Sequence, residues 1–203
     1  MVAEFVQQIN DTIKNTMNGM HTAIPGTIAS YDPATNTASV TPAMMFKKPD
    51  GSKIAYPNVS GVPVVIPQVG GQNVTIGLPI KAGDGCLIIV AEQSMDYWQY
   101  EQETDTQLHF DLSNSICIPG LFNKANPVQE EAASSGSVIV DVKGTRITVS
   151  DGKVQIDAGE VQINGNLKVS GTIDSEGDAT AEGKSVAHHT HTGDSGGDTS
   201  EPT

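Results

Sequence analysis

The chain has 203 residues, with 24 acidic against 11 basic side chains, a formal net charge of −13 and only 4% aromatic residues. That balance excludes a protein that lives on phosphate backbones, because such binding rests on Lys and Arg neutralising phosphates. The length allows one or two domains; the bulky aromatics precede Asn123, so the last third has little with which to fill a core of its own.

Residues Met1–Phe5 lack the positive n-region and apolar h-region of a secretory signal. No apolar run approaches the roughly 20 residues of a membrane helix. The expectation is a protein made in the cytoplasm that does not enter a membrane by the usual insertion route. Cys86 and Cys117 sit in apolar settings and read as buried free thiols rather than a disulfide or a metal pair.

From Val2 to Met20, apolar Val2, Phe5, Val6, Ile9, Ile13, Met17 and Met20 recur at steps of three and four, with Gln7, Gln8, Asn10, Asp11 and Lys14 between them. This spacing predicts a one-sided amphipathic helix ended at Gly19 or the following turn. Its apolar stripe either covers an edge of its own domain or packs against copies of itself or a docking platform, and both readings stay open.

From Gly26 the period changes to two. Gly26–Tyr31 and Thr37–Thr41 flank the turn residues Asp32–Asn36, which predicts a hairpin. Val62–Ile66, Asn73–Gly77 and Cys86–Ala91 follow as strands, the last apolar enough to be buried on both faces, and Ser115–Ile118 ends at Pro119-Gly120. Short strands at this spacing with Gly-rich punctuation predict a small antiparallel barrel.

The stretches Pro25–Pro42 (PGTIASYDPATNTASVTP), Val62–Gly71 (VPVVIPQVGG) and Leu78–Val90 (LPIKAGDGCLIIV), with Trp98, resemble the N-terminal domain of the phage Gp138 family. Members of that family are central spikes of contractile phage tails. The resemblance implies an oligonucleotide/oligosaccharide-binding (OB) fold for this part, without an oligonucleotide-binding role. The acidic balance and the lack of an aromatic-plus-basic stripe agree that nucleic acid is not the partner.

Residues 123–136 read as a polar, small-residue linker. Beyond it Val138, Val140 and Val142 alternate, as do Ile147 and Val149, Val154 and Ile156, Val161 and Ile163, and Leu167 and Val169, followed by Ile173. Turn residues recur between the pairs, and Val154–Asp157 and Val161–Asn164 are near copies seven residues apart. The glycines and the strict alternation exclude a coiled coil and predict a strand repeat. Each unit offers two or three apolar side chains on one face, too few to bury anything alone. Three chains wound about one axis would turn every valine face inward and give every edge a partner. About seven layers at ~4.8 Å spacing make a shaft on the order of 30–40 Å. A single-chain solenoid needs longer coils than these.

His189-Thr190-His191 places two imidazoles on one side of an extended strand. Two ligands make a poor site, but three chains supply six nitrogens, a set that suits an octahedral ion such as Fe(II) better than zinc. The run His188–Gly197 (HHTHTGDSGG) resembles the spike apex of Mu-like phages. That resemblance implies that His189 and His191 of three subunits share one iron. It also implies calcium and chloride within the apex, without assigned ligands. His188, offset by one, is expected to point outward.

Gly193–Gly197 (GDSGG) also spells the nucleophile motif of trypsin-like proteases. A triad needs a base, an orienting carboxylate and a specificity pocket, and too few residues follow Ser195 to build one. The stretch reads as the chain doubling back at its tip.

The expected architecture is all-β. It has an N-terminal helix over 1–24, an OB-fold barrel over 25–122, a linker over 123–136, an intertwined trimeric β-helix over 137–184 and an iron-binding apex over 185–203. The resemblance implies a homotrimeric central spike in the virion, docked on the baseplate hub and tail tube proteins of a contractile tail. Such a spike pierces the host outer membrane and has no catalytic site. The competing expectations are a trimeric fibre that binds a cell-surface receptor, which should expose aromatic or variable polar groups at its tip, and an envelope-degrading enzyme.

Overall fold

The computed structural model describes residues 2–48 and 50–200. The chain is mostly strand with few helices and divides into two compact units, Met1–Glu130 and Glu131–Thr203.

In the first unit α1 (Val2–Asn18) is the amphipathic helix of the sequence, and it ends where Gly19 N–H reaches back to Asn15 O and Thr16 O, both at 3.2 Å. Phe5, Val6, Ile9, Ile13, Met17 and Met20 are all exposed. The helix therefore covers no edge of its own domain, which removes one of the two readings of its stripe. After it, His21 N–H donates to Phe110 O at 3.1 Å.

A five-stranded antiparallel sheet follows. The long β1 (Ala23–Asp32) pairs with β2 (Thr37–Pro42) through the expected hairpin, in which Asp32 Oδ1 accepts the Ala34 N–H at 2.9 Å and Asn36 takes a left-handed φ of 52°. The side excursion β3 (Met45–Lys47) and β4 (Lys53–Ala55) is a separate hairpin. The chain returns as β5 (Val59–Pro63) beside β2. A second excursion, β6 (Gln68–Val69) and β7 (Val74–Thr75), is shorter than the strand expected over Asn73–Gly77. Then β8 (Gly85–Val90) pairs with β1 and, past the short α2 (Asp96–Tyr100), β9 (Ser115–Pro119) pairs with β8.

The order β5-β2-β1-β8-β9 curls until its two edges meet. Val64, just past β5, forms a parallel bridge with Cys117 of β9, and Val65 N–H donates to Cys117 O at 2.9 Å. Inside the curl lie Ile28, Val40, Val62, Cys86, Ile88 and Cys117. Gly26 is required on β1, because a Cβ there would stand 2.6 Å from Ile88 Cδ1 and 3.0 Å from Thr41 O. β8 buries Cys86, Ile88 and Val90 but leaves Ile89 exposed, so it is a one-faced strand rather than the doubly buried one its composition predicts. Both cysteines are free thiols, and the neighbouring Cys86 sulfur together with burial pushes the Cys117 thiol up.

The stretch read as a linker contains α3 (Pro127–Ser135). Asn126 Oδ1 caps it by accepting the Val128 N–H at 3.0 Å, Pro127 opens its first turn, and Gly136 at φ 65° closes it while Ser137 N–H donates to Ala132 O at 3.1 Å.

The second unit opens as a three-stranded meander, β10 (Val138–Val142), β11 (Thr145–Ser150) and β12 (Lys153–Asp157). Lys143 and Gly144 both adopt positive φ, the geometry of a tight hairpin turn. The register stacks Val138, Val149 and Val154 in one row and Val140, Ile147 and Ile156 in the next, all on one face. All six are exposed, whereas Ile139, Asp141, Arg146 and Thr148 on the opposite face are half-buried. Arg146 on that covered face donates to both Glu131 carboxylate oxygens at 2.8 Å and to Asp141 Oδ2 at 3.1 Å. Residues 158–179 form no strand within the chain, although the sequence repeat runs through them. Two short strands, β13 (Thr180–Ala181) and β14 (Lys184–Ser185), precede the tip.

Candidate metal centre

The tip is built on the β13–β14 turn, where Glu182 and Gly183 both take positive φ. Val186 N–H donates to Ala179 O at 2.7 Å and Ala187 N–H to Asp178 Oδ1 at 3.3 Å. Ser185 Oγ accepts the His188 N–H at 2.7 Å. The Ser185 hydroxyl is also the main reason the Asp178 carboxyl is held below its ordinary value, and the Ala187 N–H adds to the effect. These bonds fix the backbone immediately before the histidines.

His189 is half-buried, and its Nδ1 lies 2.9 Å from Val186 O. A carbonyl can only accept, so Nδ1 carries a proton, and in the neutral ring this leaves the lone pair on Nε2. Metal-ligating histidines are commonly oriented in this way by a carbonyl on the far ring nitrogen. The His191 ring stands edge-on to that of His189, centroids 5.0 Å apart at 83°. A cavity of about 290 Å³ opens beside the two rings, lined by Ala181, Lys184, Ser185, Val186 and Thr190. His188 is exposed.

The chain then doubles back. Thr199 N–H donates to His191 O at 2.8 Å, His191 N–H donates to Thr199 Oγ1 at 2.9 Å, and Thr192 bridges Asp198. Gly193 N–H closes the loop on Gly197 O at 2.7 Å, with Gly196 at φ 78°. The Gly-Asp-Ser-Gly-Gly segment is thus a turn, and the Ser195 hydroxyl donates to its neighbour Asp194 at 3.3 Å.

Both sequence-selected histidines are brought together with His189 Nε2 open. Among the described residues no three His, Cys, Asp or Glu side chains gather in a way that could hold an ion. Two imidazoles alone are an incomplete donor set for a metal ion. Sequence reasoning missed the Asp178–Ser185 and Val186 supports, since these are ordinary residues at ordinary turn positions. It also missed Arg146 with its two carboxylates, although this is the only arginine in the chain and it sits among valines.

No helix among the described residues is long and apolar enough to cross a membrane. No curated protein matches the chain. Residues 24–120 match the family model described as the phage protein Gp138 N-terminal domain, which points to a phage tail- or baseplate-related protein. The matched segment spans the curled sheet from Ile24 of β1 to the end of β9, and this part of the chain is a domain of the phage Gp138 N-terminal type.

Proposed function

We propose that the chain is the homotrimeric central spike of a contractile phage tail baseplate, a virion component that meets the host outer membrane when the tail contracts. The curled sheet is an OB-type domain that docks on the hub and tail tube proteins, residues 137–184 wind into a three-chain β-helical shaft, and residues 185–203 form its point. One observation carries this reading. The second unit half-buries its Arg146 face and leaves Val138, Val140, Ile147, Val149, Val154 and Ile156 bare, the inverse of what a free-standing sheet does. Three copies around an axis turn that face inward, and 158–179, unpaired in one chain, gain strands from the others.

His189 and His191 of each chain would hold an iron ion, whose contribution is a cross-link between three chain ends. The residues of this chain do the rest: Val186 O holds His189 in the ligating tautomer, and the Thr192–Asp198 bridge turns the chain back beside the histidines. The work comes from contraction and the spike supplies stiffness, so no catalytic group is needed. No Phe, Tyr or Trp follows Phe122, so the tip lacks them altogether, which favours a point over a receptor-binding surface. Light scattering with metal analysis tests the proposal: it requires a particle of three 21.2 kDa chains with one transition-metal ion. A folded, metal-free monomer would refute it.

A further inference from the structure

A second feature, in the first unit, has no part in that reading. α2 presents Trp98 (70% exposed) and Tyr100 (61% exposed) along an open trough of about 800 Å³. The platform is stiff, because the buried Asn114 receives the Met95 N–H on its Oδ1 at 3.0 Å and donates its amide to Gln93 O. The opposite wall is also fixed: Asn36 donates to Val64 O at 2.9 Å and accepts from the Tyr31 hydroxyl at 3.1 Å.

The trough has no ionisable carboxylate, ammonium or imidazole in its lining, in a chain of net charge −13. Gln68, Gln72 and Gln99 also line it, and their side-chain amides make no hydrogen bond within the described residues. Each offers two donors and an acceptor. Exposed aromatic faces beside free carboxamides match a ligand with apolar C–H faces and a hydroxyl rim. The lack of charge matches a neutral one and disfavours phosphates and acidic sugars.

We propose that this trough binds an extended neutral oligosaccharide, its ring faces on Trp98 and Tyr100 and its hydroxyls on Gln68, Gln72 and Gln99. Preformed walls mean that little ordering accompanies binding. The inference does not depend on the trimer or the metal.

Trp98 is the only tryptophan in the chain, so its fluorescence reports on the trough directly. The full-length protein is titrated with chitotetraose, cellotetraose and maltotetraose, and in parallel with an oligogalacturonate, a proline decamer and a single-stranded DNA oligonucleotide. A saturable Trp98 change is expected with at least one neutral sugar and none with the charged probes. Gln68→Ala/Gln72→Ala keeps the reporter and should weaken that binding about tenfold, as expected for two lost hydrogen bonds. Trp98→Ala, followed by calorimetry, should remove it while the melting transition stays in place. The proposal is overturned if no neutral sugar binds, or if only the proline peptide saturates the signal. It is also overturned if acrylamide fails to quench Trp98 in the free protein, because a second copy of the chain would then occupy the trough.

Discussion

Placing a carboxylate at Val140 should dissolve the proposed trimer without unfolding the chain. Val138, Val140, Ile147, Val149, Val154 and Ile156 keep between 41% and 67% of their surface exposed. Full burial of a Val or Ile side chain contributes about 1.5–3 kcal/mol, so the remaining half is worth roughly 1 kcal/mol per residue. Six such residues give on the order of 6 kcal/mol per chain, and about three times that for a trimer, before the cost of association is subtracted. Val140→Asp removes part of this and forces three carboxylates into one dry layer. An unpaired buried charge costs several kcal/mol, and like charges add to it. In the single chain the position is already 57% exposed, so the sheet itself should lose less than about 1 kcal/mol. Light scattering should show the mass falling from that of three chains to one of 21.2 kDa. Gln155→Glu, in register with Thr148 on the opposite face, should leave the mass unchanged. A Val140→Asp protein that still sediments as a trimer with an unaltered melting transition would refute the inward-facing valine row.

Three further outcomes are expected. His189→Ala/His191→Ala should stay trimeric but lose its metal and the order of its tip; metal analysis decides, and full iron retention would sink the assignment. Gly85→Ala should destabilise the first unit by about 1–3 kcal/mol in urea, because a Cβ there would overlap the Leu121 carbonyl oxygen; an unchanged midpoint would contradict that packing. The Asp111 carboxyl is held below its ordinary value by the Ser113 hydroxyl and N–H. Its folded value therefore lies under the unfolded one near ~3.9, so its contribution is whole above that pH and is lost as pH falls through the folded value. Asp111→Asn should then show a shallower loss of stability below about pH 4 than the wild type in urea titrations.

Period-two alternation around a turn was enough to locate β1 and β2, and short apolar runs bounded by turn residues were enough to locate β8 and β9. Ile89 went the other way: an apolar run of six reads as doubly buried, but whether its outer face is covered depends on elements far off in sequence. Inside the linker, small and polar composition hid α3, whose Asn126-Pro127 start and Gly136 stop are nevertheless strong capping signals. At the tip the pairing of His189 with His191 follows from spacing alone, while the hold of Val186 O on His189 does not, since any residue supplies a carbonyl.

The near copies Val154–Asp157 and Val161–Asn164 show where local sequence stops deciding structure. One is β12 and the other lies outside any strand, although their side chains are almost the same. The difference lies in what precedes each. β11 returns through Asp151-Gly152, with Gly152 at φ 69°, and so gives β12 a neighbour. Gly159 and Gly171 take no positive φ, and between Asp157 and Thr180 the chain forms no hairpin. A sequence that repeats a strand pattern but stops making hairpins needs its neighbours from elsewhere. The shaft proposed for 158–179 therefore makes a demand that β10–β12 do not: amide exchange there should slow only when three chains are together, whereas β11, paired on both sides within its own chain, should be protected in the Val140→Asp monomer as well. Equal protection of the two segments in that monomer would mean that 158–179 finds its partners within a single chain, and the three-chain shaft would lose its physical basis.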